Sequence, residues 1–278
     1  MPTEGCSAIG GWLGELAGRY RLRSTDRRAR ENYRLLAPAR PDDRAVDAAI
    51  RRLWNGVGRT MAEFSILDRL WGEGRIEVEG AARLAAAHAQ GPVIVMGIHV
   101  ANWEVVAPAL HGLGHRFKFI YQPPRNRYQH RIAVQARRRA FGDALRQPSP
   151  SAALEVHRTL AAERGVVLMF ADEYIRRRVN APLFGRAPVR RSNLVFIARL
   201  ALATGAVVVP AYAERTRHAR FRVHFLAPLT LGPSDDPDAI MHGAARLNSV
   251  IEPLVRERLE QWFMLLDLRL DPNVGARQ

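Results

Sequence analysis

Apolar and polar positions follow two regimes along this chain. Over the first eighty residues they recur at helical spacing, most clearly at Val46, Ile50, Leu53, Trp54 and Val57, which predicts helices over 26–36 and 43–71 with Pro38 and Pro41 between them. An earlier segment, 9–20, sets Trp12, Leu13, Leu16 and Ala17 at the same spacing ahead of Arg19, Arg21 and Arg23. Beyond residue 90 short β-rich runs alternate with helical stretches. Strands are expected at 93–96, 117–121, 166–170, 207–212 and 221–226, and helices at 103–113, 127–141, 152–164, 192–203 and 240–260. Strands separated by helices predict an α/β fold, a central mixed and partly parallel sheet flanked by helices. The expected organisation is one domain overall: a helical region over 1–80, suited to a membrane interface and packed on an α/β core over 81–278.

Length and composition fit this picture. A chain of 278 residues, 47% hydrophobic and 25% charged, is long enough to bury a substantial core, and disordered or fibrous designs are excluded. The longest apolar stretch, 194–213, approaches the roughly 20 residues of a spanning helix. Arg199, Gly205 and Pro210 divide it into a helix, a stop and a strand. Residues 1–10 carry Glu4 and no basic cluster before an apolar run, so no secretory signal is expected. Two readings of 9–20 stand: an interfacial amphipathic helix and an ordinary helix packed on the domain.

Charge adds a direction. The net charge of +15 predicts attraction to an anionic partner: nucleic acid, anionic lipid, phosphorylated substrate or acidic protein. The basic residues are scattered and no nucleic-acid recognition motif is present, which argues against nucleic acid. Cys6 is the only cysteine, no Cys/His cluster has zinc spacing, and neither a structural disulfide nor a metal site is expected.

The segment Gly91-Pro-Val-Ile-Val-Met-Gly-Ile-His99-Val-Ala-Asn102-Trp103-Glu104 puts a histidine just past an apolar strand, at the edge where open α/β sheets carry reactive groups, and an acid five residues later. On this spacing Glu104 would fold back to one ring nitrogen of His99, leaving the other to take a proton from a hydroxyl. The ordinary alternative makes Asn102 a helix N-cap and Glu104 a dipole-favoured residue of the first turn.

His-x-x-x-x-(Asp/Glu) at a strand-to-helix turn resembles the glycerolipid acyltransferase superfamily, and His99-Val-Ala-Asn102-Trp103-Glu104 is similar to the His-x-x-Asn-Trp-Glu string of its lipid A late-acyltransferase branch. Further similarities follow in order: Tyr121-Gln-Pro-Pro-Arg125-Asn126; Arg137, Arg138 and Arg139 before Gly142; Ala171-Asp172-Glu173; Phe184-Gly185; Thr204-Gly-Ala-Val-Val-Val-Pro210 with Arg215 after it; then Asn248, Glu252, Gln261 and Trp262. Gln122 stands where that branch has arginine and Glu173 where it has glutamine, and Asp267-Leu268-Arg269 replaces its usual basic ending.

The resemblance implies an O-acyltransferase that moves a fatty acyl chain from an acyl-carrier-protein or coenzyme A thioester to a hydroxyl of a lipid A precursor. No further cofactor is implied. The setting implied is peripheral, on the cytoplasmic side of a bacterial inner membrane, with an anionic glycolipid acceptor. Another glycolipid, lysophospholipid or amino-lipid acceptor, or an inactive membrane-surface scaffold, stays open as the alternative. His99 is then the expected base and Glu104 its steadying acid. Asn102, Arg125, Asn126, Arg139, Asp172 and Arg215 are the expected substrate-binding set, with Asn126 and Arg139 as oxyanion donors and Arg125, Arg127 and Arg215 as phosphate or phosphopantetheine contacts. For Asp172 a second reading stands, a strand-end carboxylate paired with Arg176 or Arg177.

Overall fold

The computed structural model describes residues 1–270 except 122, 124, 125, 148, 176, 177 and 233–235. It opens with helices α1 (Thr3–Leu16), α2 (Arg23–Leu36), α3 (Asp43–Glu63) and the single turn α4 (Leu67–Leu70). α3 starts where the Asp42 carboxylate accepts the Ala45 N–H, satisfying one of the unpaired donors of a helix N-terminus. Its apolar stripe buries Val46, Ile50, Leu53 and Trp54 as the spacing predicted. The helix expected to run to residue 71 instead breaks into a 3-10 turn at Phe64–Ile66. α1 packs on α3 at backbone contact: a Cβ on Gly14 would sit 2.2 Å from the Trp54 carbonyl oxygen, and one on Gly58 2.1 Å from that of Gly10. The apolar and basic segment 9–20 is the second half of α1 and the π-helical turn Ala17–Arg21.

From there the chain runs through β1 (Ile76–Glu79), α5 (Ala81–Gln90), β2 (Val93–Gly97), α6 (Val106–Gly112), β3 (Phe117–Ile120), α7 (Arg127–Phe141), β4 (Leu145–Arg146), α8 (Pro150–Ala161), β5 (Val166–Phe170), β6 (Tyr174–Ile175), β7 (Arg178–Val179), α9 (Asn193–Thr204), β8 (Val207–Arg217), β9 (Arg220–Phe225) and α10 (Ala239–Glu257). Seven strands form one sheet in the order β1-β9-β8-β2-β5-β3-β4, and β6 and β7 make a separate hairpin. All pairs in the large sheet are parallel except β8 with β9. The mixed, partly parallel sheet expected from the alternating pattern is therefore present, and it is mostly parallel.

β2 and β5 lie at its centre in register from Val93↔Val166 to Gly97↔Phe170, with every residue buried. Both faces are covered, which is why these strands read as unbroken apolar runs. Their side chains alternate between two cores. Ile94, Met96, Val167 and Met169 join the core under α3, α9 and α10, whereas Val93, Val95, Val166 and Leu168 join the one under α5 and α6. β1 corrects the reading of 1–80 as wholly helical: Ile-Glu-Val-Glu is short and half charged, and it is a strand because β9 pairs with it. α5 and β4 were not predicted either. The apolar stretch 194–213 divides as expected, with α9 ending at Gly205 in the left-handed conformation (φ +68°) before β8. Among the described residues no helix is long and apolar enough to cross a membrane.

Candidate active site

β2 ends at Gly97, whose missing side chain makes room for Phe170; a Cβ there would lie 2.7 Å from that ring. Two residues on, His99 sits in a turn that the C-terminal segment clamps. The Phe263 N–H donates to the His99 carbonyl and the Ala101 N–H to the Gln261 carbonyl, each at 2.9 Å. Ala101 itself takes a positive φ of 51°. The imidazole packs between Phe170 and Trp103, with ring centroids at 4.5 and 5.0 Å.

The acid that meets His99 is Asp172, just past the end of β5. His99 Nδ1–H donates to Asp172 Oδ1 at 2.8 Å, and the His99 backbone N–H donates to Oδ2, also at 2.8 Å. The Trp262 indole N–H donates to Oδ2 at 2.7 Å. Asp172 and Trp262 are both 0% exposed, so three N–H donors satisfy a carboxylate that no water reaches. With Nδ1 as donor, Nε2 carries the lone pair. His99 keeps a partly open ring, its side chain 17% exposed.

The expected contact between Glu104 and His99 is not formed. Glu104 belongs to the 3-10 turn Trp103–Val105, and its carboxylate faces α7, where Arg137 grips it with Nε at 2.8 Å and Nη2 at 2.7 Å while the Trp103 indole N–H donates at 2.9 Å. Burial opposes the Arg137 charge, but Glu104 outweighs it and holds the guanidinium above its ordinary value. The ring faces of Tyr121, Phe64 and Phe119 surround that guanidinium at 4.9, 5.5 and 5.6 Å. Arg137 was legible in the sequence: it lies four residues from Ala133 and four from Phe141, on the buried face of α7. Arg139, expected at the site, points to solvent and pairs with Asp68 at 3.4 Å.

Asn102 caps the 3-10 turn by accepting the Glu104 N–H, and it donates to the buried Glu63 at 2.8 Å. Glu63 also accepts from Ser7 and, bidentately, from Arg215 at 2.6 and 2.8 Å. Asn102 and Arg215 thus meet around Glu63 and tie α1, α3 and β8 to the His99 turn. Asn126 is exposed and caps α7 by accepting from Tyr128 and Gln129. Arg125, Gln122, Arg176 and Arg177 lie outside the described residues. Asn248 and Glu252 serve a loop: they accept the Leu183 and Phe184 N–H groups at 2.8 and 2.9 Å.

A cavity of about 200 Å³ opens beside His99, lined among others by Glu104, Arg137, Phe119, Glu173, Asn193 and Met264. A second, of about 350 Å³, shares Trp103 and is lined by Arg51, Arg52 and Arg215. Segments 61–70 and 196–202 contribute mainly core: Ile66, Leu67, Leu70, Ile197, Ala198, Leu200 and Ala201 are buried. Among the described residues no three His, Cys, Asp or Glu side chains cluster as metal ligands.

Comparison with known proteins places the chain in a family. The family model for bacterial lipid A biosynthesis acyltransferases covers residues 1–269, and no curated protein matches the chain. The matched span holds the N-terminal helices, the whole sheet and the Trp262 segment that closes over Asp172, so that the chain belongs to the bacterial lipid A biosynthesis acyltransferase family and is an O-acyltransferase, acting between an acyl donor and a lipid acceptor.

Proposed function

We propose that His99 is the general base of acyl transfer from an acyl-carrier-protein or coenzyme A thioester to a hydroxyl of a lipid A precursor, and that Asp172, not Glu104, is its orienting acid. The observation that carries this reading is the Asp172 carboxylate, buried and hydrogen-bonded to both the backbone N–H and Nδ1–H of His99. Nε2 takes the proton of the acceptor hydroxyl as its oxygen attacks the thioester carbonyl carbon; Asp172 stabilises the imidazolium. When the tetrahedral intermediate collapses, the C–S bond breaks and the thiolate takes the proton from Nε2. No acyl-enzyme forms. Glu104 acts at one remove, fixing Arg137 in the cavity wall.

The proposed setting is peripheral, on the cytoplasmic face of the inner membrane. Ile9, Trp12, Leu13 and Tyr20 are exposed on α1 and the turn after it, next to Arg19, Arg21 and Arg23, a combination suited to an anionic bilayer surface.

The test incubates purified protein with radiolabelled acyl-carrier-protein and acyl-coenzyme A thioesters and a panel of lipid acceptors, alongside His99→Ala. Label reaching a lipid A precursor with wild type and not with His99→Ala is the expected result. Transfer to a glycolipid, lysophospholipid or amino-lipid instead would keep the chemistry and replace the acceptor, and undiminished transfer by His99→Ala would overturn the mechanism.

A further inference from the structure

We propose that Glu173 donates a hydrogen bond from its carboxyl O–H to the carbonyl oxygen of the acyl thioester bound beside His99. The proposal rests on the His99 reading and assigns a group that the reading leaves unused. Glu173 follows Asp172 directly and lines the same cavity as His99. Its side chain is buried, the residue being 6% exposed. One oxygen is occupied: Oε1 accepts the Asn193 N–H at 2.9 Å and the Asn180 side-chain N–H at 3.3 Å. The other, Oε2, is buried and meets no partner among the described residues.

The surroundings decide which form of the carboxyl is present. The titratable and charged side chains that line the cavity with it are His99, Glu104, Arg137, Tyr121 and Tyr174, and Asp172 is its neighbour in the chain. Arg137 is held bidentately by Glu104, and Asp172 repels a second negative charge. Burial raises the Glu173 carboxyl to about 7, outweighing the hydrogen bonds from the Asn193 N–H, its own backbone N–H and Asn180, with Asp172 adding the smallest contribution. Oε1 already accepts the Asn193 and Asn180 N–H groups, which leaves Oε2 to carry the proton in the protonated form. A buried O–H without an acceptor is unfavourable until a ligand supplies one.

A thioester carbonyl is such a ligand, since its oxygen only accepts. As the acceptor oxygen bonds to the carbonyl carbon, the C=O π pair moves onto that oxygen and the hydrogen bond from Glu173 strengthens. When the C–S bond breaks the C=O bond re-forms, and the proton stays on Glu173 throughout. The arrangement is that of an oxyanion donor.

The experiment measures transfer from palmitoyl-coenzyme A and, in a second arm, palmitoyl-acyl-carrier-protein, from pH 5.5 to 9, for wild type, Glu173→Gln, Glu173→Leu and His99→Ala. Wild-type kcat is expected to fall above pH 7 as Glu173 loses its proton. Glu173→Leu should lose on the order of 10²-fold in kcat with the acceptor KM little changed. Glu173→Gln, a donor at every pH, should restore turnover and lack the alkaline fall. Wild-type kcat in Glu173→Leu, or an unchanged alkaline limb in Glu173→Gln, overturns the proposal. Should Glu173→Leu not fold, the Gln comparison decides alone.

A readout that needs no turnover is the carbon-13 carboxyl resonance that titrates near neutrality and vanishes in Glu173→Gln. Palmitoyl-coenzyme A is expected to shift it, and no shift counts against the contact. Transfer that survives His99→Ala but not Glu173→Leu would sink the base assignment and keep this one; the reverse pattern would do the opposite.

Discussion

At the scale of single residues, Asp172, Glu104 and Glu173 are buried acids of the site in different surroundings, and each responds differently to removal. Asp172→Asn keeps the shape but loses the charge that faces the imidazole, and kcat is expected to drop roughly 10³–10⁴-fold with little loss of stability. Glu104→Gln leaves Arg137 buried without its counter-charge, so unfolding free energy should fall by about 3–5 kcal/mol. Thermal melts beside kinetics separate the two; a Glu104→Gln protein of full stability and low kcat would return Glu104 to the role of orienting acid.

Glu173 makes a pH prediction of its own sign. Its folded value of about 7 lies above the ordinary 4.5, so between those limits the unfolded chain releases a proton that the folded chain retains. Stability from this group is fully present below pH 4.5 and is lost as pH rises through 7, by about 3 kcal/mol. Melting temperatures of wild type and Glu173→Gln should therefore diverge from pH 5 to pH 8, in favour of the variant. A constant gap would show that the carboxyl ionises normally.

Among the elements, α1 depends on glycine. Gly10 and Gly14 of α1 and Gly58 of α3 let two backbones touch, and the same helix pair delivers Ser7 and Glu63 to the network holding Asn102 and Arg215. Gly58→Ala should cost about 1–3 kcal/mol by overpacking and raise hydrogen exchange across α1. Gly56, two residues away in α3, faces open space: a methyl group there would meet no atom within 4 Å, so Gly56→Ala should instead stabilise by about 0.5–1 kcal/mol. Equal effects at the two positions would refute close helix contact.

For the whole molecule, the relevant quantities are the charge of +15 and the apolar side chains exposed on the first helix. Sedimentation with vesicles should show binding to anionic lipid that weakens with salt. Trp12→Ala combined with Leu13→Ala should weaken it further, by at least about tenfold, if these side chains enter the interface. Binding that salt abolishes and the double variant leaves unchanged would mean electrostatic docking alone.

What the sequence determined by itself is what local pattern encodes. Continuous apolar runs named β2 and β5 because strands covered on both faces have no polar side, and the glycine stop at Gly205 marked a helix end. The place of His99 was legible for the same reason, since the edge of an open sheet is defined by where a strand stops. Its partner was not. Glu104 is the nearest acid along the chain, only five residues away, yet the 3-10 turn aims it at Arg137; Asp172 is 73 residues distant and arrives because β5 pairs in register with β2. Trp262, from the far end of the chain, completes the set. Strand pairing is a long-range choice made by the collapse of two cores, and β1 illustrates it as well: four residues of mixed character become a strand only because β9 lies beside them. Periodicity thus decided where elements begin and end, and tertiary packing decided which side chains meet.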